Sequence, residues 1–262
     1  FVAQLQRFRR PVAVLETTGS FYARRFARVG SLVRTWTMGL AETCGLHVGR
    51  YVLRRGHRWA AYVGRDPESR RIAGLRQAFG EEGHAEGVRV YVMEERPGPL
   101  AQPGRPELNS LLFEVRDALL ERGGAHAAMG RMVHRHNARL GAMLSRVVLE
   151  EQFQSILERI ARWRECTVWV AENDAVGSMC ARYLRDHGLD RSIDLVAFDD
   201  TTEAFIGDFS SYNYNVPAVI RAMMEHLLHP VPLRASELAD YPVELEGYVV
   251  ERGTVQTGSR YV

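Results

Sequence analysis

Short runs of β-branched and apolar residues alternate along the chain with longer stretches whose apolar positions recur at helical spacing. Residues 11–16 (PVAVLE) and 31–35 (SLVRT) read as strands. A helix follows in which Ala41, Cys44, Val48, Tyr51 and Val52 form one stripe, stopped by Gly56. Residues 59–63 make the next strand, and Ile72, Leu75, Ala78 and Phe79 mark the buried face of a helix ending near Gly83. A strand over 88–93 precedes a segment, 94–106, whose Pro97, Pro99, Pro103 and Pro106 exclude both helix and sheet. Residues 108–164 are helical in pattern, broken at Gly123 and Gly124. Strands over 167–171 (TVWVA) and 194–198 (DLVAF) flank a helix over 175–187; a helix runs from Pro217 to Leu228, and 243–250 is extended. Strands joined by helical crossovers predict an α/β protein with parallel sheets flanked by helices.

Composition narrows the chemistry. The 262 residues are 46% hydrophobic and 25% charged, a globular balance, and the formal charge of +2 gives no global field toward nucleic acid or membrane. All 34 basic residues are arginine. With no lysine there is no P-loop amine, Schiff base or lysine general base. Cys44, Cys166 and Cys180 are widely spaced and lack a CxxC pattern, which fits free thiols in a cytoplasm. No apolar run approaches the roughly 18 residues of a membrane helix.

Candidate binding groups fall just past strand ends, where doubly wound sheets hold ligands. Asn173 and Asp174 follow TVWVA, Asp199 and Asp200 follow DLVAF, and Arg71 opens the helix after the strand ending at Val63. A guanidinium, an amide and a carboxylate suit hydroxyls. The competing structural role is capping, with Asp174 and Asp200 as helix caps and Asp200 and Glu203 as a capping box. His134 and His136 are two apart, so they do not share a helix face and predict no metal site. Arg131, Arg135 and Arg139 form a stripe best read as a solvated face, as does the local +6 of residues 1–34. No nucleophile elbow, GxGxxG or HExxH is present, so no enzyme and no cofactor are expected.

The segment WVAENDAVGSMCARYLRDHGLDRSIDLVAFDDTTEAF, residues 169–205, resembles the effector-binding domain of LacI/GalR transcriptional regulators in the order and spacing of its strand, Asn-Asp, helix, Gly-Leu, strand and Phe-Asp-Asp. GHRWAAYVGRDPESRRIAGLRQAFGEEG, residues 56–83, is similar to that family's GHR strand and R-x-x-G helix, and residues 243–254 resemble its closing strand. The resemblance implies a type I periplasmic-binding-protein fold of two Rossmann-like lobes. Residues 1–64 and 214–230 are expected in a first lobe, with 65–213 and 243–262 in a second. The family's effector contacts carry over onto Arg71, Asn173 and Asp199, with a sugar or sugar derivative as the default ligand, and Asp174 is expected to be structural. A cytoplasmic homodimer is implied. Operator DNA would be bound by an upstream domain outside this chain, and the first lobe reads as lacking its opening strands. A periplasmic solute-binding protein of a transporter is the alternative.

The sequence departs from the family pattern in three places. Leu40 and Ala41 stand where the family carries Asp-Asn, residues 94–164 are longer and more helical than usual, and 211–217 (SYNYNVP) replaces the common return segment. That last variant resembles regulators in which a LacI-type sensor follows a GntR-type winged helix.

Overall fold

A computed structural model describes residues 10–17, 28–38, 42–93, 153–238 and 241–253. The chain divides into two compact units, Phe1–Val92 with Arg162–Val262, and Met93–Ala161. In the second unit the described residues 153–161 are helical and bury Phe153, Ile156, Leu157 and Ile160 at helical spacing. The arginine stripe at 131–139, His134 and His136, the prolines of 94–106 and most of the basic amino-terminal stretch lie outside the described residues.

The first unit contains two sheets. In one, β1 (Val12–Glu16), β2 (Val33–Thr37) and β8 (Val243–Glu244) lie parallel in the order β1-β2-β8, with Glu16, Thr37 and Glu244 side by side at their carboxyl ends. In the other, β3 (Ala60–Gly64), β4 (Val88–Val92), β5 (Val168–Ala171), β6 (Asp194–Phe198), β7 (Ser210–Asn213) and β9 (Tyr248–Val250) run in the order β4-β3-β5-β6-β7-β9, parallel except for β9. The order reverses between β3 and β5. That is the switch point at which successive crossovers leave toward opposite faces.

The strands are buried on both faces, so their sequences read as continuous apolar runs instead of alternating ones. On one face Ala60, Tyr62, Val168, Val170, Val196 and Phe198 pack with Cys44, Val48 and Val52 of α1 (Thr43–Arg54) and Ile72, Leu75 and Phe79 of α2 (Arg70–Glu81). On the other, Trp169 meets Tyr183 of α3 (Asp174–Asp186), their ring centroids 5.9 Å apart. Helix α4 (Thr202–Gly207) follows β6, and α5 (Val216–Leu228), with proline in its first turn, packs on β1 and β2, where His226 sits 5.6 Å from the Trp36 ring. His57 of the GHR sequence is buried at the opposite end of the six-stranded sheet. Its Nδ1 lies 2.8 Å from Thr167 Oγ1 and its Nε2 3.0 Å from Asp194 Oδ2, tying the starts of β5 and β6 together.

Two sequence expectations change. Residues 43–64 were placed with the first lobe, but β3 and α1 belong to the six-stranded sheet and its helical layer, because Gly45 and Gly74 let α1 lie directly against α2. The extended stretch 243–250 is two strands, one in each sheet. The strand β7 went unnoticed because SSYN carries no apolar alternation.

Candidate site at the switch point of the six-stranded sheet

The carboxyl edges of the two sheets are joined through α1. Thr43 at its start donates to Glu244 Oε2 at the end of β8 (3.4 Å), and the next turns lie on α2, where the Gly45 Cα abuts the Arg71 carbonyl. Arg71 therefore sits in the first turn of α2, fixed against the switch point. Its guanidinium carbon lies 4.9 Å from the Phe198 ring centroid and 5.8 Å from that of Tyr214. One guanidinium nitrogen donates to the Glu172 carbonyl, and the other is 3.7 Å from Asp199 Oδ1. The Glu172 carboxylate is committed elsewhere: it accepts from the backbone amides of Arg65 and Asp66 and from the Arg65 side chain, closing the turn after β3.

Asp199 and Asp200 both have positive φ, 108° and 50°, a conformation that non-glycine residues hold only when their surroundings impose it. A buried network does so here. Asp200 accepts from Arg252 at 2.6 Å and from Asn213 Nδ2 at 2.7 Å, and its amide donates to Ser211 Oγ at 3.0 Å. Ser211 in turn donates to Asp174 Oδ1 at 2.6 Å, and the Thr201 amide and hydroxyl donate to Asp174 Oδ2 at 2.5 and 2.9 Å. The Asp199 amide donates to the Tyr212 carbonyl at 3.0 Å. These bonds leave the Asp199 carboxylate at the edge of the sheet, facing Arg71.

Capping is arranged differently from the sequence expectation. Asn173, not Asp174, is the N-cap of α3, its side chain accepting from the Val176 amide at 3.0 Å. Asp200 makes no capping box, because its carboxylate is held by Arg252 and Asn213. Thr201 is the N-cap of α4 and bonds the Glu203 carboxylate at 2.7 Å. Arg71, Asn173 and Asp199 thus stand at one sheet edge, with Arg71 and Asp199 paired and the Asn173 oxygen engaged in the cap. Tyr214 adjoins Arg71, and Glu244 accepts from Thr43 at the start of α1; the sequence marks neither as a site residue. Tyr212 and Tyr214, two apart at the end of a strand, share a face, a period-two signal hidden in SYNYNVP.

Electrostatics follow from burial. Desolvation raises the Asp199 carboxyl to about 6; Arg71 opposes the shift, while Asp174 and Glu172 add to it. Asp174 is also raised by burial, partly offset by its bonds from Ser211 and Thr201. The Cys44 thiol is pushed up to about 11 by burial, so the cysteine beside Arg71 is a packed apolar group and not a nucleophile. All three cysteines are buried, and none is in a disulfide among the described residues.

A carboxyl whose folded pKa lies above its unfolded value favours folding in its protonated form. That contribution is present below about pH 4 and lost as pH rises through about 6. Asp199→Asn is therefore expected to raise the melting temperature of the ligand-free protein at pH 7.5, with the gain shrinking toward zero by about pH 4. Melting curves of both proteins across that range check this; a constant difference would place the Asp199 shift in doubt.

No family model matches the chain, and no curated protein does. Solved structures do match it. A LacI-family transcriptional regulator from Burkhoderia phymatum aligns at a TM-score of 0.51 and 10% identity, over 93% of this chain and 77% of that one. A LacI transcriptional regulator from a Rhodococcus species aligns at 0.50 and 15% identity, over 98% and 82%. The chain has the α/β, periplasmic-binding-protein-like fold of these regulators.

Proposed function

We propose that this chain is the effector-sensing part of a LacI-type bacterial transcriptional regulator. It binds a small molecule, a sugar or sugar derivative, through Arg71, Asn173 and Asp199, and controls DNA binding allosterically through a domain outside the chain. The observation that carries the reading is the Arg71–Asp199 pair at the switch point, 3.7 Å apart and backed by Phe198 and Tyr214. A guanidinium and a carboxylate so spaced offer donors and acceptors to vicinal hydroxyls, and apolar rings beneath them strengthen both. The likeness of fold to LacI-family regulators supports the same reading. Burial holds the nearby Cys44 thiol protonated, so it supplies no nucleophile at this binding site.

The protein would act in the cytoplasm as a homodimer, since a regulator reading a two-fold operator presents two heads related by the same axis. Effector and operator would then bias one two-state arrangement reciprocally.

Calorimetry against a panel of monosaccharides tests the site. Asp199→Ala is expected to weaken binding about tenfold or more, the loss of a charge-assisted hydrogen bond, with a melting curve confirming that the variant stays folded despite alanine at a φ of 108°. Asp174→Ala is expected to lower the melting temperature, because Ser211 and Thr201 lose their acceptor. Undiminished affinity in Asp199→Ala would remove Asp199 from the site.

A further inference from the structure

The geometry points to an ammonium subsite at the carboxyl edge of the three-stranded sheet, formed by Glu244 with the Thr37 hydroxyl, so that the ligand is an aminated polyol such as an amino sugar. The inference rests on the sugar-sensing reading above and goes further by giving the ligand a charge.

Thr37 and Glu244 are register partners on adjacent parallel strands, which places their side chains on the same face at the ends of β2 and β8. Thr37 is 6% exposed, and its Oγ1 has no hydrogen-bond partner among the described residues. A buried hydroxyl left in that state is costly, and a ligand donor removes the cost. Glu244 accepts one weak bond, from Thr43 at 3.4 Å, and burial raises its carboxyl. Among the described residues neither group has a compensating cation.

The neighbouring charges sharpen the argument. Glu172 is spent on Arg65 and the turn amides, and Glu246 lies 3.5 Å from His47. Among the described residues Glu244 has no ion-pair partner, and the buried Glu16 stands beside Thr37 at the same carboxyl edge. A ligand cation would supply the counter-charge that the half-buried Glu244 carboxylate lacks among the described residues. An ammonium carries three donors and no acceptor, and Glu244 with the Thr37 hydroxyl offers it acceptors. An anionic group at this edge would face Glu244 with no counter-charge among the described residues.

The test presents three pools to the protein in calorimetry at pH 7.5: neutral aldohexoses, the corresponding 2-amino-2-deoxy sugars, and the corresponding uronic acids. The amino pool is expected to bind about tenfold tighter than the neutral pool, with the uronic acids weakest. In Glu244→Gln that preference should collapse to within about twofold, while neutral-sugar binding persists. Thr37→Val should narrow it in part. A melting curve of each variant confirms folding, and Glu244→Arg, in which the amino pool becomes the weakest, supplies a second reading. If the neutral or acidic pool binds as tightly as the amino pool, or if the preference survives Glu244→Gln, the ammonium subsite is wrong and the sugar reading stands. If no pool binds, both fall.

Discussion

Gly74→Ala is expected to destabilise the protein by about 3 kcal/mol or more, although glycine to alanine inside a helix ordinarily stabilises by up to about 1 kcal/mol. The reason is local. A Cβ on Gly74 would fall 1.9 Å from the Glu42 carbonyl oxygen and 2.7 Å from the Leu46 nitrogen, both of them backbone atoms at the start of α1. They cannot rotate away as a side chain would, so the helices must separate. Gly80, in the same helix α2, has nothing within 4 Å of its would-be Cβ, and Gly80→Ala should be neutral or stabilising by up to about 1 kcal/mol. Opposite signs from one substitution in one helix, read by chemical denaturation, isolate the close approach from helix propensity. Destabilisation by both would assign the effect elsewhere. Because Arg71 lies one turn before Gly74, Gly74→Ala should also weaken ligand binding in whatever fraction remains folded.

The second large effect is expected at Arg252, the arginine of the Val-x-Arg sequence (Val250, Glu251, Arg252) that ends the closing strand and resembles the LacI/GalR family's ending. Arg252→Ala is expected to cost about 3 kcal/mol, since it strands the Asp200 carboxylate in a buried position. The two side chains are 15% and 11% exposed and 2.6 Å apart, and Arg252 also donates to the Phe209 carbonyl. Adding Asp200→Asn should recover a substantial part of the loss, because asparagine tolerates the positive φ and needs no counter-charge. Strict additivity of the two substitutions would mean the pair does not act as a unit. The functional consequence runs through the adjacent residue: with the Asp200 anchor gone, Asp199 loses the turn that aims it at Arg71.

The legible parts of the fold were those in which local pattern and tertiary role coincide. TVWVA and DLVAF are apolar throughout because both faces of the sheet are covered. The R-x-x-G spacing of Arg71 and Gly74 is physical as well as familial, with glycine giving helix contact and arginine, a turn earlier, reaching the sheet edge. Other features depend on long-range pairing that periodicity does not carry. SSYN became a strand because Ser211 and Ser210 are buried among Asp174, Asp200 and Arg252, residues distant in sequence. Glu244 was passed over because a two-residue strand has no pattern of its own, and its partner Thr37 lies 207 positions away. Helix α1 likewise follows a strand of the three-stranded sheet in sequence but lies against α2 in space, a pairing that periodicity does not carry.

A crystal structure with the tightest-binding monosaccharide tests the central claim most directly. The account predicts ligand density at the carboxyl edge of the six-stranded sheet, with ring hydroxyls within hydrogen-bond distance of both Arg71 and Asp199 and the ring near Phe198 and Tyr214. Ligand density elsewhere, with the Arg71–Asp199 pair unchanged and uncontacted, would contradict it.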